Sequence, residues 1–476
     1  AGGAKVDASD VYDGAKRVTL KPSAGLNAYA SYRLIVDSGL KSAAGEAILT
    51  GKVIRIRTGL DTSDKFPQIS DEELLTKVQQ QTFRYFWEGA EPTSGMARER
   101  TSSGATVTTG GTGFGVMAMT VAAERGFVTR SEACQRVQRI VTFLAERATS
   151  YHGAFSHWID GQTGQTLPFS ADDNGADLVE TGLLFQGLLT ARAYFDGADA
   201  AESKLRADIT ALWEAVEWDF FTKEGTEKVL YWHWSPDKGW AMNMPIQGWN
   251  EALIVYVLAA SSPTHPIGRE VYAEGWARGG AMRNGKLFYD TVLPLGEDYG
   301  GPLFWAQYSF LGLNPRGLSD AYADYWEQVC NHTRINYAYC VDNPKGYAGY
   351  GADCWGLTAS DIPDGYTASS PTNDRGVIAP TAALSSMPYT PDESMAALRF
   401  FYYKLGDKLW SDYGFIDAFD LTTGWFDRGM HIAIDQGPIV VMIENYRTGL
   451  PWNLFMSDKD VQRGLAELGF TVEAGS

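Results

Sequence analysis

The sequence predicts an all-α (α/α)6 barrel, six inner helices ringed by six outer ones, preceded by a small β element. Three observations carry that expectation. About a dozen helical stretches fill the last ~400 of the 476 residues. No βαβ alternation interrupts them, which disfavours a parallel sheet. Long loops rich in aromatic and acidic residues fall at alternate helix junctions, as they would at one end of a ring. A helical solenoid is the competing architecture, but no repeat of roughly 30 to 50 residues is visible.

Residues 1–60 read as the β element. Tyr32, Leu34 and Val36 alternate with Arg33, Ile35 and Asp37, and residues 53–57 alternate again after Gly45 and Gly51. That is the period of half-buried strands. The run 26–58 resembles the C-terminal half of a bacterial Ig-like domain and is too short to be a complete one. Residues 61–69, polar with Pro67, read as a linker. From residue 70 to 476 the pattern becomes helical. Ser70 and Glu73 form a capping box ahead of a helix over 74–87. Further helices are expected over 113–125, 131–149, 176–196, 200–220, 250–261, 268–279, 302–312, 319–340, 392–409, 434–446 and 458–468. The run Gly110-Gly111-Thr112-Gly113-Phe114-Gly115 fails the dinucleotide fingerprint in spacing and context, so its glycines are expected to allow close helix packing.

Charge narrows the partners. Lys and Arg number 40 against 58 Asp and Glu, a net charge of −18. So acidic a surface repels phosphate backbones and anionic lipid heads, which excludes nucleic acid and membrane surfaces and leaves a neutral or cationic substrate. The longest apolar run, 252–260, is far short of the ~20 residues of a membrane span. Aromatic residues make up 13% of the chain, and many lie in polar loops, where their faces suit the C–H face of a sugar. The four cysteines show no C-x-x-C spacing, which leaves a Cys340–Cys354 disulfide open and gives no disulfide framework. The chain opens on Ala1-Gly2-Gly3 without a signal-peptide pattern, so a processed or trimmed form is expected.

No phosphate loop, H-E-x-x-H helix or G-x-S-x-G elbow is present. The six histidines are scattered, with His152 and His157 off any shared helical face, so neither a metal nor a cofactor is expected. Carboxylates remain. Asp173, Asp177 and Glu180 stand at i, i+4 and i+7, one stripe of a helix start. Helix capping accounts for Asp173 and poorly for Glu180, because the dipole effect fades within the first turn. Glu251 opens an apolar helix beside Trp249, where desolvation would raise its pKa as a general acid requires. Asp435 has apolar neighbours on both sides and needs a partner or a purpose. Glu444 and Arg447 form an i, i+3 pair read as structural. Trp232, Trp234, Trp240 and Trp249, broken by Pro236, Gly239 and Pro245, read as a sugar platform, with Arg447 a donor to hydroxyls.

Several longer motifs point one way. Trp249-Asn250-Glu251-Ala252-Leu253-Ile254, Gly301-Pro302-Leu303-Phe304, Trp355-Gly356-Leu357-Thr358-Ala359-Ser360-Asp361, Ile378-Ala379-Pro380-Thr381 and Ile434-Asp435-Gln436-Gly437-Pro438 with Ile443-Glu444-Asn445-Tyr446-Arg447 are similar to the bacterial glucoamylase-like domain. The match runs over about residues 70–470. In its best-understood branch the family resembles the endo-β-1,2-glucanases of glycoside hydrolase family 144. The resemblance implies an (α/α)6 barrel, an inverting mechanism, and pocket carboxylates at Asp173, Asp177, Glu180, Glu251 and Asp435, with Gln436 beside them. Where neighbouring branches carry Ile-Asp-Thr, this chain has Val179-Glu180-Thr181, a carboxylate on a longer arm. It also implies an exported protein, periplasmic or on the cell surface, and a monomer is expected.

The expected activity is therefore hydrolysis of a neutral β-glucan. Glu251 would protonate the leaving oxygen, and Asp435, or else Glu180, would activate water across a gap of ~6.5–9.5 Å, the separation that inversion requires. The rivals are a non-catalytic glycan-binding protein and an exo-acting or phosphorolytic enzyme on the same fold. Phosphorolysis would need a basic anion pocket that this composition does not offer.

Overall fold

The computed structural model describes residues 5–14, 17–27, 30–42 and 44–473, so Ala1-Gly2-Gly3 lies outside the described residues. The chain divides into two units, residues 1–64 and 65–476. In the first, β1 (Ala8–Tyr12) pairs antiparallel with β2 (Val18–Pro22), and β3 (Ser31–Val36) with β4 (Lys52–Arg57), Tyr32 facing Ile56. Along β3 the expected alternation holds, with Tyr32, Leu34 and Val36 half-buried. Strand β4 is exposed throughout, against expectation. Strands β1 and β2 are exposed at every residue; the alternation Val18-Thr19-Leu20-Lys21 in β2 is a strand signal that the expectations above do not use.

The second unit begins with residues expected as linker. Lys65 N–H donates to the Tyr403 carbonyl at 2.7 Å and Ile69 N–H to the Tyr403 hydroxyl at 3.1 Å, while Phe66 stacks on Tyr402. Helix α1 (Asp71–Trp87) starts at the expected capping box, Ser70 Oγ accepting from Glu73 N–H and the Glu73 carboxylate from Ser70 N–H. The helices that follow are α2 (Thr109–Glu124), α3 (Arg130–Glu146), α4 (Leu178–Tyr194), α5 (Ala200–Glu214), α6 (Leu253–Ser261), α7 (Tyr325–Asp342), α8 (Pro380–Leu384), α9 (Pro391–Arg399), α10 (Gly406–Leu409), α11 (Ala433–Arg447), α12 (Leu450–Met456) and α13 (Lys459–Leu468). The expected helix 268–279 is a π-helical turn over Val271–Trp276, and 302–312 is a pair of 3-10 turns. Helices α8 and α12 were missed: each opens on a proline in its first turn and is too short to display a period.

These elements close the predicted toroid. The inner ring runs α2, α4, α6, the 3-10 pair Leu303–Ala306 and Ser309–Leu311, α8 and α11, and α11 packs back on α2. Gln307 ties the 3-10 pair to α8 through the Ala382 carbonyl at 3.0 Å. The helices α1, α3, α5, α7 and α9 and the π-helical turn form the outer layer. Inner helices are apolar on nearly every side because they have no solvent face; α6 is buried at all nine residues. Outer helices such as α1 and α3 carry a single apolar stripe.

The glycine run acts at the α2–α4 crossing, as expected. A Cβ on Gly113 would stand 2.3 Å from the Leu183 carbonyl oxygen, and one on Gly187 2.1 Å from that of Gly113. The two backbones are in contact, and no side chain fits between them. Gly113→Ala is therefore expected to cost roughly 1–3 kcal/mol by overpacking, measured as a lower midpoint in denaturant with an unchanged slope.

Candidate active site

The inner helices run parallel, and their N-termini carry the acids singled out above. Asp177 is the N-cap of α4, its Oδ1 accepting from Glu180 N–H at 2.9 Å. Glu180 is in the first turn, Glu251 lies two residues ahead of α6, and Asp435 is in the first turn of α11. Asp173, Asp177 and Glu180 are not a helical stripe: α4 starts only at Leu178, and Asp173 sits in the loop before it. They meet because the loop folds back, with Ala176–Asp177 pairing antiparallel to His233–Trp234.

One wall of the site is built around two histidines. His157 Nδ1 is 3.1 Å from Asp177 Oδ2, and His157 Nε2 is 3.9 Å from Glu180 Oε1. His233 Nε2 reaches Asp173 at 3.4 Å and Asp177 at 3.8 Å. Glu180 Oε2 also accepts from Gly110 N–H at 2.6 Å and from the Thr108 hydroxyl at 3.2 Å, both at the start of α2. Burial alone would lower the His157 pKa, but Glu180, Asp177 and Asp173 outweigh it and hold the ring at about 9. Burial and the charge of Asp177 push Asp173 up to about 7. Burial raises Glu180, with His157 opposing, and lowers His233.

The opposite wall centres on Asp435, which is 3% exposed. Burial and then the Asp417 charge push Asp435 well above the usual range, and burial raises Asp417 to about 7. Asp417 Oδ2 accepts from Asp361 N–H at 2.8 Å, and Arg100 Nη1 grips both oxygens of Asp361 at 2.9 and 3.0 Å. Between the walls stands Tyr308, whose ring packs on Phe114 and Phe304, each at 5.0 Å. Its hydroxyl is buried without a partner. Burial raises its pKa far above the usual phenol, and Asp435, Glu251 and Glu180 all add to the rise. Those three carboxyls, from three different inner helices or their leading loops, therefore lie near enough to act on one phenol. Burial pushes Glu251 up to about 7, with Asp177 and Glu180 adding repulsion, and Ser309 Oγ holds the Glu251 carbonyl at 2.5 Å.

Other expected contacts are placed elsewhere. Trp249 is 4% exposed and packs against Phe310, Tyr325 and His332, a core residue because its loop turns inward to start α6. Gln436 donates to the Phe415 carbonyl at 3.0 Å and that of Tyr413 at 3.3 Å. Arg447 is at the far end of α11, bonded to Gln79, Thr76 and Glu72 with its side chain 5% exposed. Glu444 pairs with Arg125 at 2.7 Å rather than with Arg447. Trp234 and Trp240 pack with Phe220, and Trp240 also with Tyr231. Trp232 stacks beside His233 at the first wall. The four cysteines are free and buried, so the Cys340–Cys354 disulfide is not formed.

Sequence reasoning missed His157, His233, Tyr308, Asp417 and Arg100. None of them forms a spaced pattern with another of the five, and only its place in the folded site marks it. Phe169, half exposed, adds an aromatic face at 4.4 Å from the His157 ring.

The His157 pKa sets a pH window for stability. A ring raised from about 6.5 to about 9 contributes stability that is complete below pH ~6.5 and lost as pH rises through about 9. Thermal melts of His157→Gln are expected to differ from the parent most below pH ~6.5 and to converge with it above pH ~9.

Comparisons with known proteins agree with this architecture. Residues 243–459 match the family described as "Putative glucoamylase". A protein of Bacteroides uniformis, also described as a putative glucoamylase, has a crystal structure 58% identical in sequence, with a TM-score of 0.84 over 86% of this chain and 99% of its own. The endo-β-1,2-glucanase of Chitinophaga pinensis, solved with sophorotriose and glucose, is 51% identical with a TM-score of 0.82, over 85% of this chain and 99% of its own. An exo β-1,2-glucooligosaccharide sophorohydrolase (non-reducing end) of Parabacteroides distasonis is 48% identical over 421 residues, 84% of this chain. The alignment spans only 58% of the length of that curated relative. The chain belongs to the glucoamylase-like family, of the glycoside hydrolase family 144 type.

Proposed function

We propose that this protein hydrolyses β-1,2-linked glucan, cutting within the chain, by an inverting mechanism with Glu251 as general acid and Asp435 as general base. The observation that carries the reading is that two carboxyls from distant stretches, Glu251 and Asp435, both act electrostatically on the buried Tyr308 hydroxyl, which has no partner of its own. Glu251 sits in surroundings that favour its role, whereas Asp435, raised by burial and by Asp417, serves as base once it has lost its proton. Glu251, desolvated and repelled by Asp177 and Glu180, keeps its proton to about pH 7 and can deliver it to the leaving glycosidic oxygen. Asp435, across the pocket, accepts the proton of a water that attacks the opposite face of the sugar, and the anomeric configuration inverts. Asp173, Asp177 and Glu180, with His157 and His233, offer acceptors and donors to sugar hydroxyls, while Trp232 and Phe169 offer apolar faces.

The β-1,2 linkage is supported by the names of the relatives. Cleavage inside the chain follows the Chitinophaga enzyme; release of sophorose from the non-reducing end is the second reading, favoured by the Parabacteroides relative. Linear β-1,2-, β-1,3-, β-1,4- and α-1,4-glucans are the test. Only the β-1,2-glucan is expected to yield new reducing ends, as mixed oligomers with the α-anomer first. Sophorose as the sole early product would replace the endo reading by the exo one, and the β-anomer first would overturn inversion.

Glu251→Gln is expected to lower kcat by roughly 10²–10⁴-fold while leaving glucan binding intact. A protein that only binds glycan would release no reducing ends with Glu251 present. Because the acid must carry its proton, kcat/KM of the parent is expected to fall as pH rises above about 7, read from initial rates across pH 5 to 9.

A further inference from the structure

Beyond the glucan-cutting reading, the structure assigns a binding site for one divalent cation of the calcium class to the carboxylates of Asp361, Asp417 and Asp427. One oxygen from each lies within 4.8 Å of the others. That is the span available to oxygens held ~2.4 Å from a central ion, the calcium distance. All three donors are carboxylate oxygens, which suit a hard ion and not the softer zinc or copper.

The cluster does not satisfy itself. Asp417 is 4% exposed, and although its Oδ2 takes the Asp361 N–H, its Oδ1 has no partner. Asp427 Oδ2 is buried without a partner as well. Asp435, 3% exposed, leaves its own Oδ2 unpartnered. Among the described residues, the one cation paired with this group is Arg100, whose Nη1 goes to Asp361 and whose Nε and Nη2 go to Glu99. Five acids, Glu99, Asp361, Asp417, Asp427 and Asp435, thus gather around one guanidinium. Carboxyls buried at that density need a proton or a compensating cation, and a divalent ion would supply the charge.

The backbone gives the ion a structural task. Asp361 lies on a short hairpin, Ala359–Ile362 with Gly365–Ala368. Asp417 and Asp427 bracket a second, Phe419–Asp420 with Trp425–Phe426, and Asp427 N–H closes it on the Ala418 carbonyl at 3.1 Å. An ion held by all three carboxylates would staple the two hairpins together beside Asp435.

The test uses the whole chain, stripped with chelator and titrated with CaCl2 at neutral pH, read by calorimetry and thermal melting. One ion per chain with Kd below ~1 mM and a rise in Tm of about 2–4 °C is expected. Asp427→Asn is the decisive variant, because Asp427 is half-buried and its loss removes one ligand; binding is expected to weaken by at least about tenfold while near-UV circular dichroism stays native. Asp361→Asn is the second variant. Tb3+ emission sensitised by Tyr366, the residue that faces Asp361 across its hairpin, gives an independent readout. No heat or Tm change at 10 mM CaCl2 would overturn the site, leaving protons or sugar hydroxyls to satisfy the carboxyls, and so would calcium binding unchanged in both variants. The readout is binding and not turnover, so an inactive chain that takes up calcium would count against the hydrolase reading alone.

Discussion

A ring of parallel inner helices brings the N-termini of α2, α4, α6 and α11 to one end of the ring, and the site depends on that constraint. Helix N-termini present unpaired N–H groups and the positive end of the dipole, so they attract carboxylates. Asp177 capping α4 and Glu180 held by the Gly110 N–H at the start of α2 are direct instances. A single helix can stabilise one such acid locally. Several helices aimed at the same space concentrate acids that no pair of neighbours in the sequence would bring together.

Concentration has an electrostatic cost, met differently on the two walls. On the first, His157 lies between Asp177 and Glu180, and its raised pKa shows that three carboxylates outweigh the penalty of burying an imidazolium. On the second, a single guanidinium, Arg100, serves a larger group of acids, and unpartnered oxygens remain on Asp417, Asp427 and Asp435. Glu251, raised by burial and by Asp177 and Glu180, keeps its proton to about pH 7, and burial raises Asp435 as well, whereas Asp177 is held low by His157 and His233 against the penalty of burial. The same fold thus holds some acids neutral and others charged, by burial and by the neighbouring charges.

Glycine makes the ring tight enough for this. The α2–α4 contact at Gly113 and Gly187 brings two backbones together, and at the head of the same pair the Gly110 N–H meets Glu180. The run from Gly110 to Gly115 is a packing device along its length and part of the site at its first residue.

The sequence by itself determined the architecture and the acids. Hydrophobic period, the Ser70–Glu73 capping box and the absence of strand alternation marked the helices, and Asp435 in an apolar run marked itself by being out of place. These signals are local, carried by residues a few positions apart. Tertiary structure alone decided which polar groups share a space. His157, His233, Arg100, Tyr308 and Asp417 each come from a different segment and have no spacing to reveal them, while Trp249, Gln436 and Arg447, next to the acids in the chain, turn into the core or run down the helix. A helix rises 1.5 Å and rotates by about 100° at each residue, so neighbours in sequence diverge at the mouth of the ring, and the groups that meet there are those whose helices happen to begin at the same end.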